Sequence, residues 1–263
     1  MSAFVIEGSS VLITGASAGI GREFARHLAT RASSLILVAR RLERLEELRD
    51  ELTSRDPNLK VHVRAAVLSQ LSEDTALCAW LERDKVKIDF LINNAGLGDR
   101  GAFVTGDPQR SNEMIAVNVA TLTALTRALL PAMIAKRRGA ILNISSSAGF
   151  LPCPGLAVYA ATKAYVTSFS EAIRTELHGT GVVVTAVCPG PIETEFAMVA
   201  QRGSKRSNSG PKLIYVPVET AVRASLEAIE RGKPVVVPGL VMKIAMLLVR
   251  VTPMPLLRLA SRL

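Results

Sequence analysis

The sequence predicts an α/β protein: one doubly wound, parallel sheet in a single domain. Three observations carry this. Apolar runs of strand length alternate with helix-length segments along nearly the whole chain, and strands joined through helices form right-handed parallel crossovers. Of the 263 residues 49% are hydrophobic but only 4% aromatic, so the core is aliphatic, which suits a sheet covered on both faces. The length fits one large domain, and no internal repeat or low-complexity linker divides it.

The elements follow in order. Ser10–Thr14 reads as a short buried strand, and Gly19–Arg31 as the helix after it. Leu35–Ala39 is a second apolar run. Arg41–Arg55 is a charged amphipathic helix that must stop before Asp56-Pro57. Val61–Val67, Ile88–Ile92, Ala140–Ser145 and Val182–Cys188 are read as strands, with helical stretches near Glu73–Arg83, Ser111–Lys136 and Val158–His178 between them. Val218–Arg231 and Val235–Val237 make a last helix–strand pair. Gln201–Pro211 is polar, basic and Gly/Ser-rich, and reads as a loop. The domain is taken as 1–239, with a substrate loop over 191–215 and an apolar, basic extension over 240–263.

Gly15, Gly19 and Gly21 stand between the first strand and its helix, with Ser17 and Ile20 among them. Glycine permits the tight turn and the close approach of backbone to a ligand, and the helix N-terminus offers free N–H groups to a pyrophosphate. At the end of the second strand an acid would accept hydrogen bonds from the ribose hydroxyls of NAD. Here stand Arg40 and Arg41, with no acid before Glu43. A guanidinium fork matches a 2′-phosphate, so the cofactor is read as NADP(H), with Ser17 and Arg40 or Arg41 on the phosphate. Asn93-Asn94-Ala95-Gly96 ends the fourth strand, on the edge where ligands bind in such sheets. Pro189-Gly190 turns the chain after the sixth.

Tyr159 and Lys163 are four apart, hence on one face of a helix. An ammonium beside a phenol favours the phenolate, so the Tyr159 pKa is expected to fall and the residue to serve as general acid and base. With the glycine turn, the Asn-Asn-Ala-Gly tetrad, Asn118 and Ser146 in this order, the chain resembles the short-chain dehydrogenase/reductase family over nearly its whole length. The resemblance implies a Rossmann-type fold and hydride transfer between NADP(H) and a carbonyl or secondary alcohol. It implies that Tyr159 moves the proton, that Ser146 bonds the substrate oxygen, and that Lys163 lowers the Tyr159 pKa and bonds the nicotinamide ribose. It further implies that Asn118 holds a water at a helix kink, that Asn93 lies beside the ribose, and that Ile192 and Thr194 lie at the nicotinamide. Where the family commonly has an Asp near the adenine, this chain has Val67-Leu68. The resemblance also implies a homodimer or homotetramer built on the two long helices. The alternative from another class is a nucleotide-binding scaffold or regulatory protein without turnover, which usually loses part of this catalytic set.

The substrate is expected to be set by Gly149–Val158, by Ala197–Tyr215 and by whatever the tail covers. Apolar side chains there point to a ketone, a 3-oxoacyl compound or a steroid-like ring. Cys78, Cys153 and Cys188 form no metal-like cluster and read as reduced thiols, Cys153 as a packed one, in a cytoplasmic protein. Met1–Ser10 carries no basic residue and is not read as a signal peptide. Residues 1–200 hold 21 Lys/Arg against 20 Asp/Glu, and residues 201–263 hold 11 against 3, so the net charge of +9 belongs to the last quarter. That quarter is rich in Leu, Val and Met, which argues against nucleic acid as its partner. Lys243, Arg250, Arg258 and Arg262 punctuate it, too often for a membrane span. It reads either as a helix packed on a partner subunit or over the cleft, or as an interfacial helix in peripheral contact with a membrane.

Overall fold

The computed structural model describes residues 4–200 and 214–260, which form one seven-stranded parallel sheet with helices on both faces. The strands are β1 (Ser10–Thr14), β2 (Ser34–Ala39), β3 (Lys60–Ala65), β4 (Phe90–Asn93), β5 (Gly139–Ile144), β6 (Val182–Val187) and β7 (Val235–Val236), in the spatial order β3-β2-β1-β4-β5-β6-β7. The winding reverses between β1 and β4. Side by side in that pairing, Val11 to Ile13 face Phe90 to Ile92, and a crevice opens beyond their carboxyl ends.

Strand side chains alternate between two cores. Val11, Ile13, Leu35 and Leu37 enter one, with Phe24 and Leu28 of α1 (Gly19–Leu28), Leu45, Leu48 and Leu52 of α2 (Leu42–Arg55), and Val222 and Leu226 of α8 (Val218–Glu230). Leu12, Ile36 and Val38 enter the other, with Leu77 of α3 (Leu71–Arg83) and Leu125 and Met133 of α5 (Leu122–Ala135). This two-sided burial is why the inner strands read as unbroken apolar runs. The edge strands β3 and β7 keep a partly exposed pattern. Each fully buried Leu or Ile contributes about 1.5–3 kcal/mol, so the sheet is the rigid part of the molecule.

The remaining helices are α4 (Pro108–Ile115), α6 (Ala157–Glu176), α7 (Glu195–Ala200), α9 (Leu240–Val251) and α10 (Met254–Ala260). The expected strands and helices are found, with ends shifted by a few residues. One expectation is refined. The stretch read as a single helix from Ser111 to Lys136 starts earlier, at Pro108, capped by the Asp107 carboxylate on the Gln109 N–H at 2.9 Å. It also widens into a π-helical segment over Ala116–Thr121, with Asn118 inside it. The predicted loop Gln201–Pro211 and Arg262 lie outside the described residues.

Candidate active site

The crevice is a cleft of about 570 Å³ over the carboxyl ends of the strands. Its floor is the turn from β1 to α1. Gly15 has φ +68°, and a side chain there would press to 2.9 Å on the Ala95 backbone. A side chain at Gly21 would lie 2.3 Å from the Gly15 carbonyl oxygen, so helix and turn pack at contact distance only without one. The Asn94 amide clamps this turn by donating to the Thr14 and Gly15 carbonyls at 2.9 and 3.2 Å. The Thr14 hydroxyl accepts from the Asn94 and Ala95 N–H groups, each at 3.0 Å. α1 begins with no side-chain cap and no acid in its first turn. Its leading N–H groups are thus left for an anion.

At one end of the cleft the Arg41 guanidinium donates to Ser17 Oγ at 3.4 Å and to the Glu195 carboxylate at 2.9 Å. Arg44 binds the other oxygen of Glu195 at 2.5 Å. The carboxylate stands where an anion is held by two cations, and both partners hold its pKa below the usual carboxylate range. Arg40 lines the same end, and Leu68 lines the adjoining wall together with Ser69. The Leu68 carbonyl accepts from Thr121 Oγ1 at 2.7 Å. Glu195, Arg44 and Ser69 were missed by sequence reasoning. Glu195 is 154 residues from Arg41, and nothing local marks their meeting.

At the other end stand Ser146, Tyr159 and Lys163. Ser146 opens the short 3-10 turn Ser147–Phe150, accepts from the Ala148 N–H at 3.2 Å, and draws the Tyr159 pKa down. Its neighbours Ser145 and Ser147 also line the cleft, but Ser145 is buried and already engaged, donating to the Lys163 carbonyl at 2.7 Å. The Ser147 N–H bonds the Pro189 carbonyl at 2.9 Å and ties this turn to the chain after β6. The Tyr159 ring lies 5.7 Å from Phe196 and 5.8 Å below the Lys163 ammonium. Lys163 is buried and donates to the Ile144 carbonyl at 2.7 Å.

The electrostatics correct one expectation. The Tyr159 phenol is not lowered: apolar surroundings push it up to about 12, with Ser146 pulling weakly the other way. Burial pushes Lys163 down to about 8. Both charged forms lose hydration on burial, and that loss is the largest cause of each shift. Two placements, those of Asn93 and Gly21, also differ. Asn93 does not reach the cleft; its amide donates to Asn143 at 2.9 Å and Thr126 at 3.1 Å inside the sheet. Asn118 is buried behind the cleft wall, accepting from the Leu97 N–H at 2.8 Å and donating to the Leu97 carbonyl and Thr162. Gly21 packs beneath the floor. The other expected site residues, Gly19, Ile20, Gly96, Pro189, Gly190, Ile192 and Thr194 among them, line the single cleft. Cys153 is a half-buried thiol pushed up by burial, a packing residue.

Between these ends the wall is mostly apolar, with Leu156, Phe196, Ala197, Val199 and Tyr215, and, among the described residues, one cation, Arg100. The short chain dehydrogenase family model matches residues 9–205. The chain is 42% identical over 201 residues to a sulfoacetaldehyde reductase of Chromohalobacter salexigens, covering 75% of this chain and 78% of that one. It is 41% identical over 198 residues to the NADP-dependent 3-hydroxy acid dehydrogenase YdfG of Escherichia coli, covering 73% and 77%. Among solved structures it resembles a short-chain dehydrogenase from Sphingobium yanoikuyae in complex with NADPH, with a TM-score of 0.79 and 31% identity over 93% of this chain and 96% of that one.

Proposed function

The chain belongs to the short-chain dehydrogenase family and is an oxidoreductase, and from that premise we propose that it reduces a carbonyl group on an apolar small molecule with NADPH. The observation that carries this is one cleft with an Arg41–Ser17 anion seat at one end and the Ser146–Tyr159–Lys163 set at the other. The residues fit NADP(H): the clamped glycine turn and the uncapped start of α1 suit a pyrophosphate, and the cation pair already holds a carboxylate. Arg40, Arg41 and Ser17 would hold the 2′-phosphate, and Lys163, Ile192 and Thr194 the nicotinamide end. When bound, NADPH supplies the hydride.

The protein manages the proton. With its pKa near 12, Tyr159 is stocked with a proton across the physiological range and acts as donor to the substrate oxygen. Ser146 donates to the same oxygen and polarises it. As Tyr159 gives up its proton the Lys163 ammonium gains an anionic neighbour, so its stabilisation grows toward the transition state rather than in the ground state. A scaffold without turnover has no need of this complete set. Asn118 acts as a positioning residue behind Leu97.

A second substrate reading rests on Arg100, the cation on the substrate side of the cleft. It fits a short carbonyl compound bearing a sulfonate or carboxylate, as the names of the two bacterial relatives describe for those enzymes. A panel of bulky ketones, 3-oxo acids and sulfonated aldehydes, followed by loss of NADPH absorbance, separates the two. Turnover of apolar ketones untouched by Arg100→Gln supports the first; turnover confined to anionic compounds and lost in that variant supports the second. Two-fold self-association belongs to the same reading, since Ile115, Ile134 and Tyr165 are exposed on the outer side of α4, α5 and α6. A monomer in light scattering at micromolar concentration contradicts that part.

A further inference from the structure

We infer that α9 and the start of α10 form a docking face for an anionic lipid bilayer, set beside the mouth of the cleft. This stands apart from the reaction assigned above. α9 has two apolar faces. Met242 and Met246 are buried against the body, and a side chain at Gly190, in the cleft wall, would meet Met242 at 2.7 Å. Arg250 lies 5.7 Å over the Phe150 ring. The helix is therefore seated on the catalytic side of the molecule. The opposite face consists of Leu240, Ile244, Leu247, Leu248 and Val251, between 51% and 73% exposed, and continues into Met254 and Leu256. Their spacing of 4, 3, 1 and 3 residues puts the five on one stripe of the helix. A stripe this wide and this dry on a soluble protein marks a contact surface.

Charge decides what covers it. No acidic residue follows Glu230, while Arg231, Lys233, Lys243, Arg250, Arg258 and Arg262 do. Lys243 and Arg250 stand seven apart, along the border between the seated and the exposed faces. That is the arrangement of a helix lying in an interface, with apolar side chains sunk among acyl chains and long cations reaching to headgroups. A second copy of the same face meets it badly, because two-fold pairing sets these cations against one another with no carboxylate in the segment to answer them. Residues 240–263 contain no Trp, Tyr or Phe. Without such anchors the contact depends on lipid charge and is reversible.

The test is flotation of the full chain with vesicles of phosphatidylcholine alone or mixed with phosphatidylglycerol. The expected result is recovery with the anionic vesicles at low salt, little with the neutral ones, and loss on raising salt to about 0.5 M, where exposed charges are screened. Replacing Ile244, Leu247 and Leu248 together by Ser should weaken partitioning at least about tenfold. Lys243→Gln should weaken it about fivefold, the effect of one cation near an anionic surface. The single variant keeps the test sharp should the triple one lose NADPH binding. Absence of flotation at low salt, or equal binding to neutral vesicles, overturns the inference. So does a dimer in light scattering that the triple variant dissociates, which would assign the face to a second copy.

Discussion

At the scale of single residues the molecule holds two opposed charge problems. At the cofactor end Glu195 occupies Arg41 and Arg44, each of the three side chains being between 38% and 44% exposed. Pairs so exposed to water contribute little, about 0–1 kcal/mol, whereas bonds from a guanidinium to phosphate are charge-assisted and stronger. On the proposed reading of this end as the 2′-phosphate site, Glu195 is a competitor that the phosphate displaces. Glu195→Gln is expected to tighten NADPH several-fold and leave NADH unchanged in a fluorescence titration; a weaker NADPH complex would show that Glu195 helps to build the site instead. At the catalytic end the buried Lys163 carries its charge at a cost. Its folded pKa of about 8 lies below the ordinary value of 10.5, so between those values the unfolded chain binds more protons than the native one. Stability then rises with pH through that window, by on the order of 2–3 kcal/mol between pH 8 and 10. Urea unfolding of the native protein and of Lys163→Met across this range isolates the contribution. The slope with pH should flatten in the variant, and parallel curves would mean that Lys163 is not held near 8.

At the scale of elements, the π-helical segment is the least expected feature and the most informative. Asn118 lies inside it and satisfies both the N–H and the carbonyl of buried Leu97, along with Thr162. This fixes the strand of chain that carries Gly96 past Lys163. Asn118→Ala leaves buried backbone groups unpartnered, at about 1–3 kcal/mol each. A loss of about 2–4 kcal/mol in urea unfolding is the expected outcome, and a loss below about 0.5 kcal/mol would remove Asn118 from this role. The sheet was largely legible in the sequence, because strands buried on both faces leave continuous aliphatic runs and the turns between them carry Gly, Pro and Asn. The Gly15–Gly21 turn, Ser146 and the Tyr159–Lys163 pair were legible for a similar reason, since each needs residues at fixed local spacing. What could not be read depends on distant packing. Which Asn of the 93–94 pair faces the cleft depends on strand register with Asn143. The Glu195–Arg41 contact joins residues far apart in the chain. The sign of the Tyr159 shift depends on how dry the finished site is, which four residues of helix do not specify.

At the scale of the whole molecule, the reversal of strand order between β1 and β4 opens a crevice with Arg41 and Ser17 at one end and Tyr159 at the other, and Met242 of α9 packs against Gly190 in its wall. The sheet positions both ends of the cleft, and on the proposed reading the apolar wall and Arg100 set the substrate. On the proposed reading Tyr159 delivers a proton to a carbonyl oxygen in an NADPH-dependent reduction. The most direct measurement compares the native protein with Tyr159→Phe on the best substrate of the panel, by NADPH absorbance, with NADPH affinity measured in parallel by fluorescence. kcat/KM is expected to fall by at least ~10²-fold while NADPH affinity stays within a few-fold, since the phenol acts on the substrate and the phosphates are held elsewhere. Retention of more than about a tenth of native turnover would contradict it, because a general acid is worth more than that.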